Sequence, residues 1–253
     1  MAFKEGDFVK IEYTAWRVAD GELLNTTDEK LAKEKGIYNS DAPEQYKPQL
    51  IVIGKGDTIK GVEEAVKGMN LNEEKTVEIE PKDAFGERDP SLIKIIPMSE
   101  FRRRDIDPYP GMRLDIDGTE AVVKAVNSGR VIVDENNPLA GEKLRYKLKV
   151  VEKIDADNEK VKAIAERLGL GVKSVSIQGN SVSIEMAGSE KTAQYEARKS
   201  TLPSYIFAYM PNIEKVEIKD IYEKPKQQKQ EQTQTQGQEQ EKGNAEKAVP
   251  DNK

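Results

Sequence analysis

Neither cysteine nor histidine occurs anywhere in the 253 residues. Without thiols the chain has no disulfide, no thiolate nucleophile and no cysteine-ligated metal. Without imidazole it lacks Ser-His-Asp and Cys-His catalysis, histidine-bound metals and the side chain that ordinarily changes charge near neutrality. Folding reverses neither absence. No metal and no cofactor is expected. Long apolar runs are missing too. Nothing approaches the roughly 20 residues of a membrane-spanning helix, and the N-terminus, Met-Ala-Phe-Lys-Glu-Gly-Asp, has no secretory apolar core. A cytoplasmic protein without membrane contact is expected. A formal net charge of −6 argues against general affinity for nucleic acid, and Arg102-Arg103-Arg104 reads as a solvated turn.

What is present centres on residues 49–69. An apolar run, residues 50–53, meets a turn at Gly54 and Gly56, and the hydrophobic period then changes from two to three and four. Val62, Ala65, Val66 and Met69 fall on one face of a short helix that Asp57 or Thr58 could cap and Gly68 could end. The glycines invite a phosphate-loop reading, but that loop needs Lys and Ser or Thr directly after its last glycine, whereas Gly61 is followed by Val62 and Glu63.

Residues 6–16 alternate, with Val9, Ile11, Tyr13 and Ala15 on one face of a half-buried strand and Phe8 apart from them. Asp20-Gly21 signals a hairpin into Leu23-Leu24. Residues 28–48 show little periodicity and read as a surface excursion. Residues 75–80 alternate again, Pro81 to Gly86 form a turn carrying Phe85, and residues 137–151 lead from a turn into a strand with Leu144, Tyr146, Leu148 and Val150 on one face.

Five of these pieces, in order, resemble the FKBP-type peptidyl-prolyl cis-trans isomerases of the SlyD-like, long archaeal kind: Val-Lys-Ile-Glu-Tyr from Val9, Asp-Gly-Glu-Leu-Leu-Asn-Thr-Thr from Asp20, Ile-Gly-Lys-Gly-Asp-Thr-Ile-Lys-Gly-Val-Glu-Glu-Ala-Val from Ile53, Asp-Ala-Phe-Gly from Asp83, and Asn-Asn-Pro-Leu-Ala-Gly-Glu-Lys-Leu-Arg-Tyr from Asn136. The resemblance implies an α+β fold: an antiparallel sheet around a short helix, with a proline pocket between them. Carried over residue by residue, the pocket comprises Tyr13, Asn25, Ile59, Phe85 and Tyr146 as catalytic positions, with Leu24, Ile51, Thr58 and Val62 binding substrate. Asn25 stands where Asp is usual, Phe85 where Tyr is common, and Val62 where a Trp or Leu is frequent.

The resemblance extends to residues 87–136, which are similar to the inserted chaperone domain of SlyD-like proteins, a small β-rich unit. So small a unit has little interior, so Ile93, Ile95, Ile96, Met98, Phe101, Tyr109 and Met112 either form its core or leave a groove for unfolded chain; the resemblance implies the groove, with these residues binding substrate. The isomerase part would then be residues 1–86 and 137–154. Residues 155–224 read as a separate α-β-β-α-β domain with helices near residues 160–168 and 190–199. Its apolar run, residues 205–210, suits a core better than a homodimer surface. From Pro225 onward Gln, Lys and Glu dominate without periodicity, the composition of a disordered tail.

The expected partners are unfolded or partly folded proline-containing polypeptides. The rival readings are a non-catalytic holdase whose pocket has decayed, and an acid-base hydrolase resting only on abundant carboxylates.

Overall fold

The computed structural model describes residues 2–116, 118–187 and 192–221. The alternating segment forms β1 (Phe8–Arg17), which returns through Gly21, at φ +72°, into β2 (Leu23–Thr26). Where an irregular excursion is expected, α1 (Glu29–Glu34) forms instead. The Asp28 carboxylate accepts from the N–H groups of Lys30 and Leu31 at 2.9 and 3.1 Å, and Ala32 is fully buried. One cap and one apolar contact suffice for a helix too short to show a period.

β3 (Gln49–Val52) pairs the near half of β1, from Phe8 with Val52 to Ile11 with Gln49. β2 pairs the far half, Thr14 with Thr26 and Ala15 with Asn25. The two strands thus lie along one edge of β1, and neither pairs Glu12 or Tyr13. α2 (Lys60–Lys67) buries Val62, Ala65 and Val66, and Gly68 closes it. Neither Asp57 nor Thr58 caps it; the cap position is Ile59, without a side-chain hydrogen bond. After β4 (Glu74–Ile79) the insertion supplies β5 (Ile93–Pro97), α3 (Met98–Arg103), β6 (Arg113–Ile116), β7 (Thr119–Asn127) and β8 (Arg130–Asp134), a sheet ordered β5-β8-β7-β6. Arg102 and Arg103 lie in the last turn of α3 rather than in a turn proper, and they are exposed. β9 (Leu144–Ile154) then runs between β1 and β4, completing an antiparallel five-stranded sheet.

The remaining elements are α4 (Asp157–Arg167), β10 (Val172–Gln178), β11 (Ser181–Met186), α5 (Ala193–Tyr209) and β12 (Lys215–Asp220). β11 lies central, antiparallel to β10 and parallel to β12. The element order is the expected one, but the second helix does not stop near Lys199. It continues through Pro203 to Tyr209. A proline inside a helix costs about 3 kcal/mol, and burial of Leu202, Ile206 and Tyr209 along one stripe offsets it. The start of that helix near Glu190, and the tail from residue 225, lie outside the described residues.

The first sheet is covered on both faces. Val9, Ile11, Ile51, Ile53, Leu148 and Val150 pack with α2. Phe8, Leu50, Val52 and Ile154 share a core with Ile164, Leu202 and Ile206 of the C-terminal elements. The segment read as a separate domain therefore shares its core with the first sheet, and the unbroken apolar run at residues 50–53 is a strand buried on both sides. Among the described residues no helix is long and apolar enough to cross a membrane.

Candidate functional site

Where β2 and β3 leave β1 unpaired, the backbone of Tyr13 is taken up by Thr27. The Tyr13 N–H donates to Thr27 Oγ1 and the Thr27 N–H to the Tyr13 carbonyl, both at 2.9 Å. This fixes Tyr13 beside a hollow of about 200 Å³ lined by Ile11, Tyr13, Asn25, Gln49, Leu50, Ile51, Asp57, Thr58, Val62, Tyr146 and Arg167. Sites for drug-sized ligands run to about 300–1,000 Å³, so this one suits a single ring-sized side chain. Its floor is apolar: Ile51 and Val62 are buried. Its wall is aromatic, the rings of Tyr13 and Tyr146 standing 6.0 Å apart at 36°.

Asn25 is oriented by its own strand. Its Oδ1 accepts from the Thr26 N–H at 2.8 Å, so its Nδ2 faces Tyr13 and donates to the phenol oxygen at 3.2 Å. An Asp here would have no proton to give and would take that of the phenol. With Asn, the phenol accepts and its own proton stays free for another acceptor.

Burial pushes Tyr146 up to about 12, with a smaller contribution from Tyr13, and it raises Tyr13 as well. Both remain neutral donors far above neutral pH. A proton held more tightly in the folded than in the unfolded chain contributes stability that is complete below the unfolded value near 10 and lost as pH climbs toward 12. The urea midpoint is therefore expected to fall across that alkaline window. Tyr146→Phe should make the fall shallower while leaving the midpoint's course between pH 6 and about 9 unaltered. An identical alkaline slope in the two proteins would show that Tyr146 is not buried as described.

Of the expected pocket residues, Tyr13, Asn25, Ile51, Thr58, Val62 and Tyr146 meet around the hollow. Leu24, Ile59 and Phe85 do not line it. Leu24 and Phe85 are half-buried, and Ile59 is packed against the core beneath α2. Gln49, Leu50, Asp57 and Arg167 line it without having been expected, which makes the rim more polar than an aliphatic cradle. Gln49 and Leu50 adjoin Ile51 in β3 and were within reach of pattern reading. Arg167 comes from α4 and carries no sequence signal.

In the insertion, Phe101 is buried with Ala121, Val123, Val131 and Val133, so it belongs to the small core. Ile96, Met98 and Met112 pack partly against that core. Ile95 and Tyr109, each 62% exposed, and Ile93 stand in solvent. A second hollow of about 130 Å³ lies beside Ile96, Phe101, Ile106 and Leu114. Among the described residues no cluster of carboxylates has the arrangement of a metal site.

A family model described as FKBP-type peptidyl-prolyl cis-trans isomerase matches residues 1–101. A short-type peptidyl-prolyl cis-trans isomerase of Methanocaldococcus jannaschii is 38% identical over 156 residues, 62% of this chain and 97% of that relative. The chain belongs to the FKBP-type peptidyl-prolyl cis-trans isomerases. A model described as FKBP26, IF domain, matches residues 94–139 of the isomerase, coincident with most of the inserted sheet. A probable FKBP-type 16 kDa isomerase of Pseudomonas fluorescens is 30% identical over 143 residues, 54% of this FKBP-type chain and 83% of that one. The isomerase SlyD of Pasteurella multocida is 28% identical over 132 residues, 51% and 65% of the two chains.

Proposed function

We propose that the X-Pro bond turns in the hollow beside Tyr13, with Ile51 and Val62 as floor and Tyr13 and Tyr146 as wall, and that the insertion holds unfolded polypeptide nearby. The observation that carries the first part is a ring-sized hollow bounded by two aromatic rings and the start of α2. In this reading residues 1–86 and 137–154 form the catalytic unit, 87–136 the client-binding unit and 155–224 a C-terminal module. Leu24, Ile59 and Phe85 then support the wall from behind or flank the chain outside it.

Amide resonance sets a barrier of about 18–20 kcal/mol to rotation. The twisted amide separates less charge between oxygen and nitrogen than the planar one, so an apolar floor that has displaced water favours it. The carbonyl oxygen carried into the hollow needs a donor, since an unsatisfied buried acceptor costs about 1–3 kcal/mol. The Tyr13 hydroxyl, whose proton Asn25 leaves free, and the Tyr146 hydroxyl supply one. No proton changes hands, which suits a chain without histidine or cysteine.

Tyr146→Ala removes half of the aromatic wall. It is expected to lower kcat/KM on a short Leu-Pro peptide about ten- to a hundredfold, a loss of roughly 1.4–2.8 kcal/mol of differential binding. NMR exchange spectroscopy reads this directly; an unchanged rate would remove the hollow from the mechanism. A non-catalytic holdase is the second reading, favoured by Phe85, which has no hydroxyl and stands outside the hollow. No acceleration by stoichiometric wild-type protein would select it. For the insertion, exposed Ile93, Ile95 and Tyr109 support contact with apolar segments of a client. A homodimer through the C-terminal module would have Phe207, 42% exposed, as its apolar contact, since Ile206, Tyr209 and Met210 are buried within the chain.

A further inference from the structure

Arg167 ends α4, in the C-terminal module, yet it lines the same hollow as Tyr13 and Tyr146. Its Nη1 lies 2.9 Å from Asp57 Oδ2 and donates to the Tyr209 hydroxyl oxygen at 3.2 Å. That hydroxyl in turn donates to Asp57 Oδ1 at 2.5 Å, and Asp57 Oδ2 also accepts from the Val52 N–H at 2.9 Å. The Asp57 side chain is only 5% exposed, so the carboxylate is held by β3, α4 and α5 together. This is why it is not free to cap α2.

The arrangement leaves an unusual group at the pocket rim. The guanidinium charge is balanced by Asp57 through Nη1 and the guanidinium carbon stands 6.0 Å from the Tyr205 ring centroid, while the hydrogen bond and ion pair it makes both use Nη1 and the side chain is 29% exposed. A planar fork with donors to spare and little net charge fits a neutral acceptor better than a carboxylate. Arg167, with Gln49 and Leu50, also lines an adjoining cleft of about 630 Å³ between the first sheet and α4. The charges along that cleft offset one another, Lys10 lying 3.5 Å from both Glu152 and Glu166. A chain seated by its proline in the hollow would continue past these three shared residues into a cleft with no charge preference.

We propose that Arg167 is a substrate-positioning residue: it donates to a main-chain carbonyl of the polypeptide beyond the residues that flank the X-Pro bond, where the chain leaves the hollow for the adjoining cleft. The C-terminal module is then part of the substrate site. This rests on the hollow beside Tyr13 being the isomerisation pocket.

The test uses the full-length chain and NMR exchange on a capped Leu-Pro peptide and on peptides lengthened by four residues on either side, with Gln or with Glu in the extension. The readout is the ratio of KM for a lengthened peptide to KM for the short one. In Arg167→Met this ratio is expected to rise about tenfold for one direction of lengthening, the size of one charge-assisted hydrogen bond. The rise should be equal for Gln and Glu. Arg167→Lys retains the charge opposite Asp57 but not the planar fork, and it is expected to show the same rise with an unaltered thermal midpoint, which separates positioning from loss of fold. An unchanged ratio in both variants overturns the proposal, and so does a rise confined to Glu peptides. Tyr146→Ala measured alongside keeps the two readings apart: if it slows the short peptide while the Arg167 ratios stay flat, the pocket stands and the extended site falls. If Tyr146→Ala has no effect, the pocket itself is wrong.

Discussion

Cutting out residues 88–135 and closing the gap with a short Gly-Ser linker is expected to slow refolding of a proline-limited protein client about a hundredfold, the scale of a lost tethering effect. Isomerisation of a short Leu-Pro peptide should stay within about twofold, because well-separated parts contribute nearly independently. The ends of the insertion are neighbours, which makes the excision feasible. The Gly141 N–H donates to the Gly86 carbonyl at 2.9 Å, the Asp89 N–H to Asn136 Oδ1 at 2.8 Å, and Arg88 pairs with Asp134. No residue of the hollow beside Tyr13 falls within the excised segment. What the excision removes is the exposed set of Ile93, Ile95 and Tyr109. In the function proposed above, a client held there would present its prolines to the hollow beside Tyr13 at a high local concentration, an advantage no short peptide enjoys. Refolding at the wild-type rate after excision would show that clients are held elsewhere.

Gly61→Ala is expected to destabilise the fold by about 2 kcal/mol or more, although alanine is ordinarily the better helix residue by about 1 kcal/mol. A Cβ at position 61 would stand 2.4 Å from Ile79 Cγ2 and 3.0 Å from Cγ1. Ile79 is 4% exposed, and its nearest atom is a branch carbon beside the backbone, whose χ1 is stiff. The clash is relieved only if α2 lifts from β4, which also moves Val62 and the pocket floor. Urea unfolding should show a lower midpoint, and the short-peptide rate should fall with it. Ile79→Ala removes all the clashing atoms, so the double variant should lose less than the sum of the two single losses. Wild-type stability in Gly61→Ala would mean that α2 does not pack on β4 as described.

Elements with a strong local period were legible before any coordinates. β1, α2 and the strand at Leu144 carry alternation or three-four spacing over enough residues to declare both type and buried face. α1 escaped because six residues held by Asp28 and Ala32 show no period. The extent of α5 escaped because Pro203 reads locally as a stop, whereas the buried stripe of Leu202, Ile206 and Tyr209 carries the helix through it. The apolar run at residues 50–53 read as a strand, but the pattern did not say that both of its faces are covered, one by α2 and the other by the C-terminal elements. In the insertion, composition left core and groove open. The coordinates divide the candidates, sending Phe101 inward and Ile95 and Tyr109 outward.

The sequence by itself determined which chemistry was open to this protein. A chain with no imidazole and no thiol is suited to easing a rotation that needs neither, and ordered motifs from Val9 to Tyr146 were enough to identify the family. Only the tertiary structure decided what lines the hollow beside Tyr13: Leu24, Ile59 and Phe85 stand back from it, and Asp57 and Arg167 meet at its rim. The physical reason is range. Backbone periodicity is written in neighbouring residues, whereas an ion pair joining a turn to the end of a distant helix exists only once two elements have packed on opposite sides of one strand.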